Sequence, residues 1–132
     1  MLGYRDADHA ETSPDAPRLV ITALSCSLVG QQQPVAILPG TRAAKLYGVA
    51  EAIEDYYCNY GVNPECRSEL EAAGLRVSGV GSEGEIRIAE LADHPFFVTT
   101  LFLPQARSTS AAPHPLLAGF AAAVRDARRP TP

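Results

Sequence analysis

The sequence predicts one α/β domain in which strands outnumber helices. Several short runs of apolar and β-branched residues are separated by glycine and proline, which is typical of strands joined by turns. Three segments carry helix start or stop signals, but only two of them are long enough to be good helices. The predicted order is β-β-α-β-α-β-β-β-α. Because an α/β sheet needs both faces covered, this shortage of helices suggests that a covering segment is missing.

In the first half of the chain, residues 1–17 are polar and acidic and predict an irregular lead-in. The apolar run at 18–28 predicts a buried strand, and the glycine and glutamines at 30–33 predict a turn. A second strand follows at 34–38. Next comes a short helix, which Thr41 caps and which ends after Tyr47, because Gly48 supplies its stop.

The second half begins with aromatic alternation at 52–62, which predicts a third strand. Asn63 caps the following helix, Pro64 occupies its first position, and Gly74 ends it after Ala73. Two runs around Gly-Ser-Glu-Gly predict a hairpin, and a further β-rich run predicts a strand across the core. Residues 116–128 predict an amphipathic helix after a Ser/Ala/Pro loop. The predicted strands are 75–80, 85–91 and 96–102; the loop is 105–115; the helix is 116–128, with Leu116, Leu117, Phe120, Val124 and Ala127 inward.

Charge and hydropathy exclude several classes of function. A net charge of −4 and a pI near 5.3 argue against a surface for nucleic acid or for an anionic membrane. No apolar run reaches the roughly 18 residues that a bilayer span requires. The polar start is no signal peptide, so we expect a cytoplasmic protein. Arg125, Arg128 and Arg129 are expected to complement the end of the last helix.

The three cysteines, Cys26, Cys58 and Cys66, have neither the pairing of a disulfide framework nor the close spacing of a zinc site. None lies on a glycine-flanked turn between strand and helix, so a buried structural thiol is favoured for each. Cys58 is the least certain, because its neighbours are polar. His94 and His114 precede prolines and are expected to cap or to pack turns. These residues predict neither a metal site nor a cofactor.

Five stretches carry a resemblance to a known family: PGTRAAKLYG, EDYYCNYGVN, LEAAGLRVSGV, AELADHPFFVTTLFLPQ and PHPLLAGF. In order and in spacing they resemble the C-terminal glutamine amidotransferase domain of CTP synthase. The similarity covers about residues 34–124. It implies a class I glutaminase fold with a flavodoxin-like α/β sheet, of which this chain is the C-terminal portion only. In that family a Cys-His-Glu triad hydrolyses glutamine, and the ammonia passes to a synthetase domain that makes CTP from UTP and ATP.

The same resemblance implies that the catalytic positions have lost their chemistry. Where the family has Phe-His-Pro-Glu, this chain has Phe102-Leu103-Pro104-Gln105, so Leu103 stands for the base and Gln105 for the carboxylate that orients it. Asn59 stands for an arginine that helps to bind glutamine. The nucleophile lies upstream of the matched residues. A thiol nucleophile needs a base and an orienting group, so we expect no glutamine hydrolysis by this chain.

Three stretches, DADHAETSPDA at 6–16, LSCSLVG at 24–30 and YCNYG at 57–61, resemble stand-alone proteins related to the C-terminal region of CTP synthase, some of which are selenoproteins. This extends the similarity to nearly the full chain, in which 18–129 is a partial domain. It also suggests a missing N-terminal half, and leaves open whether Met1 is the native start. One hypothesis is a degenerate module that binds a small molecule or a partner, either that missing half or a second copy. Another is a thiol enzyme that uses Cys58 or Cys26. A third hypothesis is that the chain is a fragment that is stable only with its other half. A fourth is that the chain retains some glutamine hydrolysis when it is combined with that half.

Overall fold

The computed structural model describes residues 2–128, so Met1 and Arg129 lie outside the described residues. The described chain has two sheets and three α-helices, which confirms the predicted mixed α/β class. The strands are β1 Ala7–His9, β2 Arg18–Ala23, β3 Gln31–Ile37, β4 Glu51–Tyr56, β5 Tyr60–Val62, β6 Leu75–Val80, β7 Ile86–Leu91 and β8 Val98–Thr100. The helices are α1 Arg42–Tyr47, α2 Arg67–Ala72 and α3 Pro115–Ala127.

The larger sheet has five strands in the order β4-β3-β6-β7-β8, and every pairing in it is antiparallel. Strands β6 and β7 form the predicted hairpin, with Leu75 opposite Leu91. The main core lies against this sheet and includes Val35, Tyr56, Ile88, Phe102 and Leu116. Burial of these side chains supplies most of the driving force for folding.

The smaller sheet has three strands in the order β1-β2-β5. Strand β1 runs parallel to β2, and β5 runs antiparallel to it. The predicted lead-in is therefore not irregular throughout, because Ala7–His9 pairs with β2. The predicted strand at 18–28 ends early, at Ala23. Residues 18–23, which form β2, are half-buried or exposed, so the prediction that this strand is buried is wrong.

The helix ends follow the sequence signals closely. The Thr41 side chain accepts a hydrogen bond from Ala44 N, and Gly48 closes α1 in the left-handed conformation. The Asn63 side chain accepts from Glu65 N ahead of a short 3-10 helix, Pro64–Cys66, which leads into α2. Arg125 lies in the last turn of α3, as predicted. None of the helices in the described range is long and apolar enough to cross a membrane.

Three predicted elements are corrected by the structure. The predicted turn at 30–33 is wrong for its last three residues, because Gln31–Gln33 are already part of β3. The predicted strand at 52–62 is two strands in different sheets, since the chain leaves β4 after Tyr56 and joins β2 at Tyr60. The predicted strand at 96–102 is only Val98–Thr100, and it lies at the sheet edge instead of crossing the core.

The buried face of α3 is narrower than its periodicity predicts. Leu116 is buried, whereas Leu117 and Phe120 are exposed and Ala127 faces solvent. Gly119 faces Leu46 of α1, where an added Cβ would lie 2.7 Å from Leu46 Cδ2. The helix thus packs through a glycine, and the large side chains on either side of this contact are left at the surface.

Candidate functional site

The segment that follows β8 is placed against the end of β4. Leu103 N donates to Asp55 O at 3.0 Å, and Arg107 reaches the Asp55 carboxylate at 3.5 Å. Pro104–Arg107 forms a short 3-10 helix, which leaves Leu103 and Gln105 exposed. The two predicted degenerate positions therefore lie at an accessible rim, beside the residues that close β4.

The link between β4 and β5 brings Cys58 and Asn59 to the same part of the molecule. Cys58 Sγ donates to Leu101 O at 3.4 Å, and Asn59 O accepts from Leu24 N at 2.8 Å. Burial raises the pKa of the Cys58 thiol above its ordinary value, although the nearby Arg87 opposes this. Cys58 is therefore held as a protonated thiol near neutral pH.

Cys26 lies elsewhere, on the wall of a cavity of about 640 Å³ between the end of β2 and the β6–β7 turn. Cys26 is exposed, so the expectation that every cysteine is buried is wrong for this residue. Cys66 is buried, as expected, and Cys58 is half-buried. Leu24, Leu28 and Ile86 supply apolar walls to the cavity.

Arg87 and Glu85 form an ion pair in the wall of the same cavity. Arg87 is only 5% exposed, and both Nε and Nη2 donate to Glu85 Oε1. Burial alone would raise the pKa of Glu85, but the bonds from Arg87 outweigh it and hold this pKa below its ordinary value. The Arg87 guanidinium also lies 4.6 Å from the ring centre of Tyr56, whose pKa burial raises to about 12.

The structure contains a His-Glu pair that sequence reasoning did not find. His114 Nε2 lies 3.0 Å from Glu54 Oε1, and Tyr47 OH donates to the same oxygen at 2.6 Å. His114 is 4% exposed and Glu54 is 2% exposed. Burial and the bond to Glu54 raise the pKa of Tyr47 well above its ordinary value. The His-Pro signal predicts the cap at His114, but no local pattern indicates a partner 60 residues away.

The contacts of His114 indicate which of its ring nitrogens carries the hydrogen. Nδ1 accepts from Leu116 N at 3.2 Å, as the cap of α3, so it carries no proton. Nε2 therefore carries the N–H group, which donates a hydrogen bond to the Glu54 carboxylate. His94 is likewise a turn residue, since its Nδ1 accepts from Phe96 N. The prediction that these two histidines cap a helix or pack a turn is confirmed, with His114 in the first role and His94 in the second.

Comparison with known proteins gives one consistent result. The chain is 36% identical to a CTP synthase of Carboxydothermus hydrogenoformans over 130 residues, which cover 91% of this chain and 24% of that protein. It is 43% identical to a CTP synthase of Granulibacter bethesdensis over 98 residues, 72% of this chain and 18% of that protein. No protein-family model matches the chain.

A solved structure supports the same relationship. The glutaminase domain of Trypanosoma brucei CTPS, with bound acivicin, superposes with a TM-score of 0.86 at 25% identity and covers 95% of this chain. This chain is a relative of the C-terminal glutaminase domain of CTP synthase. Its fold is that of a class I glutamine amidotransferase, as the resemblance implied.

The match to CTP synthase is confined to part of that enzyme. The chain spans about a quarter of the length of the Carboxydothermus CTP synthase, and 53% of the solved CTPS chain. Among the described residues, no three metal-ligating side chains cluster together. The structure brings Leu103, Gln105, Cys58 and Asn59 to neighbouring segments at the end of β4, and places Cys26 in the separate cavity.

Proposed function

We propose that this chain is a glutaminase-like module that does not hydrolyse glutamine and that acts by binding. The observation that carries the proposal is the chemistry of the rim beside β4, where Leu103 and Gln105 occupy the positions expected for the base and its orienting carboxylate. Neither leucine nor a neutral amide accepts a proton near pH 7. Neither of these two positions therefore offers a group that could activate a nucleophile.

Two of the three cysteines, Cys58 and Cys66, support the same proposal. Cys58 has a raised thiol pKa and donates to a backbone carbonyl, and Cys66 Sγ is buried, 3.9 Å from Leu19 O. Within residues 2–128, neither of these sulfur atoms is hydrogen-bonded to a histidine. Thiol attack needs a thiolate or an adjacent base, so these two thiols are poor nucleophiles.

The buried His-Glu pair does not replace the missing base. His114 Nδ1 accepts the helix N–H, and Nε2 already carries the proton that Glu54 binds. Both side chains are almost fully buried, so a substrate cannot reach either nitrogen. The pair resembles two members of a triad in composition, but its contacts make it a structural element.

Ammonia release from glutamine tests the proposal directly. We expect purified chain to give no release above the buffer background, beside a glutaminase of known activity as positive control. The Cys26→Ser and Cys58→Ser variants should give the same background. Release that either substitution abolishes would show a working thiol and would overturn the proposal.

A second candidate function is thiol chemistry at Cys26, because this thiol is exposed and lies on the wall of the cavity of about 640 Å³. Cys58, the other thiol considered from the sequence, is disfavoured by its raised pKa. Alkylation rates measured against pH would separate the two. A reactive Cys26 should be alkylated fast well below the ordinary thiol pKa of about 8.5, and the Cys26→Ser variant should lose that fast phase. Alkylation that rises only near that pKa would exclude this candidate.

A further inference from the structure

A groove between β8 and α3 is lined almost entirely by apolar side chains. It encloses about 270 Å³, and its lining, called here the β8–α3 face, carries no charge. Phe97 and Leu117 are exposed, and Phe120 is 52% exposed. Single exposed apolar side chains are ordinary, but a contiguous set marks an interaction surface. The lining residues are Phe96, Phe97, Val98, Thr100, Pro104, Leu116, Leu117 and Phe120.

Beside this groove, the five-stranded sheet ends at an open edge. Strand β8 pairs with β7 on one side, and no described strand pairs with its other side. Its residues, Val98, Thr99 and Thr100, include no charge and no proline. Natural sheets usually protect an exposed edge with charged residues or proline, and an edge without them accepts another strand. The strand is short, so its three residues offer little by themselves, and the adjoining groove supplies the apolar contact.

The rim of the face is held in place from within the chain. The Arg42 guanidinium lies 5.5 Å from the ring centre of Phe96 and donates to His94 O at 2.7 Å. Phe96 and Phe120 pack edge to face, with ring centres 5.6 Å apart. These contacts fix the aromatic side chains before any partner binds, which reduces the entropy lost on binding.

The coverage of the solved CTPS glutaminase domain supplies the argument for one occupant of this face. That structure matches 95% of this chain, but the chain accounts for only 53% of it. Nearly half of the solved chain therefore has no counterpart among these residues. A free sheet edge beside an apolar groove is where further polypeptide of the same fold would continue the sheet and close the core.

We infer that the β8–α3 face docks a polypeptide carrying the part of the glutaminase fold that these 132 residues do not cover. The occupant adds an extended strand along β8 and fills the groove with apolar side chains, which Phe97, Leu117 and Phe120 contact. This inference rests on the proposed function, because it names the partner of the binding module. It leaves the chemistry at Leu103 and Gln105 unchanged.

Co-expression tests the inference with a defined probe. The probe is the rest of the glutaminase domain of the Granulibacter bethesdensis relative, chosen as a tagged polypeptide that co-purifies with that relative's own matching segment. We expect these 132 residues to co-purify with the probe in a 1:1 complex. Phe120→Asp should weaken the complex at least about tenfold, because it places a charge in the apolar contact. Val49→Asp, at a residue 54% exposed outside the groove, is the matched control and should bind as the wild type does.

Three outcomes would overturn the inference. A chain that stays monomeric beside the validated probe shows that the face does not dock this half of the fold. A homodimer that Phe120→Asp dissociates shows that a second copy is the occupant. A complex that Phe120→Asp leaves intact shows that the probe binds elsewhere. Ammonia release by an intact complex would overturn the proposed function and leave the docking standing, so the two can fail separately.

Discussion

At the scale of single residues, His114 shows how one side chain can satisfy two needs. Its Nδ1 caps α3 and its Nε2 holds the Glu54 carboxylate, so both ring nitrogens are used. A buried carboxylate is costly unless donors surround it, and Tyr47 supplies the second donor. The pair therefore ties the start of α3 to β4 inside the core.

Replacing His114 separates these two contributions. We expect His114→Ala to lower the free energy of unfolding by about 3 kcal/mol, because both the cap and a donor to Glu54 are lost. His114→Asn keeps a strong helix cap but does not reach Glu54. Its free energy of unfolding should therefore fall by about 1 kcal/mol less than that of His114→Ala. Urea unfolding of the three proteins measures both values. Equal losses in the two variants would show that the cap contributes nothing.

Glu85 gives a prediction about pH. Its pKa is lower in the folded chain than its ordinary value, so its ion pair with Arg87 stabilises the fold above that ordinary value, about 4.3. The stabilisation is lost as the pH falls through the folded pKa. We expect Glu85→Gln to be about 2 kcal/mol less stable than the wild type at pH 7, because buried Arg87 loses its partner. Thermal unfolding measured from pH 7 to pH 3 should show that the difference in stability between Glu85→Gln and the wild type narrows only below about pH 4.5. A gap that stays constant to pH 3 would contradict the assignment.

At the scale of elements, β6 is the strand that joins the two halves of the larger sheet. It pairs with β3 on one side and β7 on the other, and its register shifts at Gly79. A Cβ at Gly79 would lie 2.7 Å from Ile88 Cγ1 and 3.0 Å from Val35 Cγ2, both on fully buried residues. The neighbouring Ser78 is fully buried, and its hydroxyl has no hydrogen-bond partner.

Two neighbouring substitutions should therefore act in opposite ways. Gly79→Ala adds one methyl group to a filled core and should destabilise the chain by about 1–3 kcal/mol. Ser78→Ala removes an unpaired buried hydroxyl and should be neutral or slightly stabilising. Thermal unfolding of both variants under one set of conditions measures the contrast. A stable Gly79→Ala variant would show that Ile88 can move aside, which the packing around β6 does not suggest.

At the scale of the whole molecule, the sequence predicts what depends on near neighbours. The cap at Thr41, the stop at Gly48 and the β6–β7 hairpin are each set by residues within a few positions, and the structure has them. Contacts across the fold escaped prediction. The aromatic run at 52–62 looks continuous, but its split is decided by pairing with β2, which no local pattern encodes. The exposure of Phe120 was also not predicted, because periodicity shows an apolar stripe on a helix but not whether another part of the molecule covers it.

The two sheets should also differ in local stability. In β1, β2 and β5 only Gly61 is buried, whereas residues 86–90 of β7 are all buried. Opening the smaller sheet exposes little apolar surface, so less free energy opposes it. We expect the amides of β2 and β5 to exchange with deuterium through openings at least about 2 kcal/mol less costly than those of β6 and β7. Exchange read by NMR under native conditions tests this, with α3 as an internal comparison. Equal protection of both sheets would mean that the contacts of Leu24 and Leu28 join them into one cooperative unit, and that the smaller sheet cannot open alone.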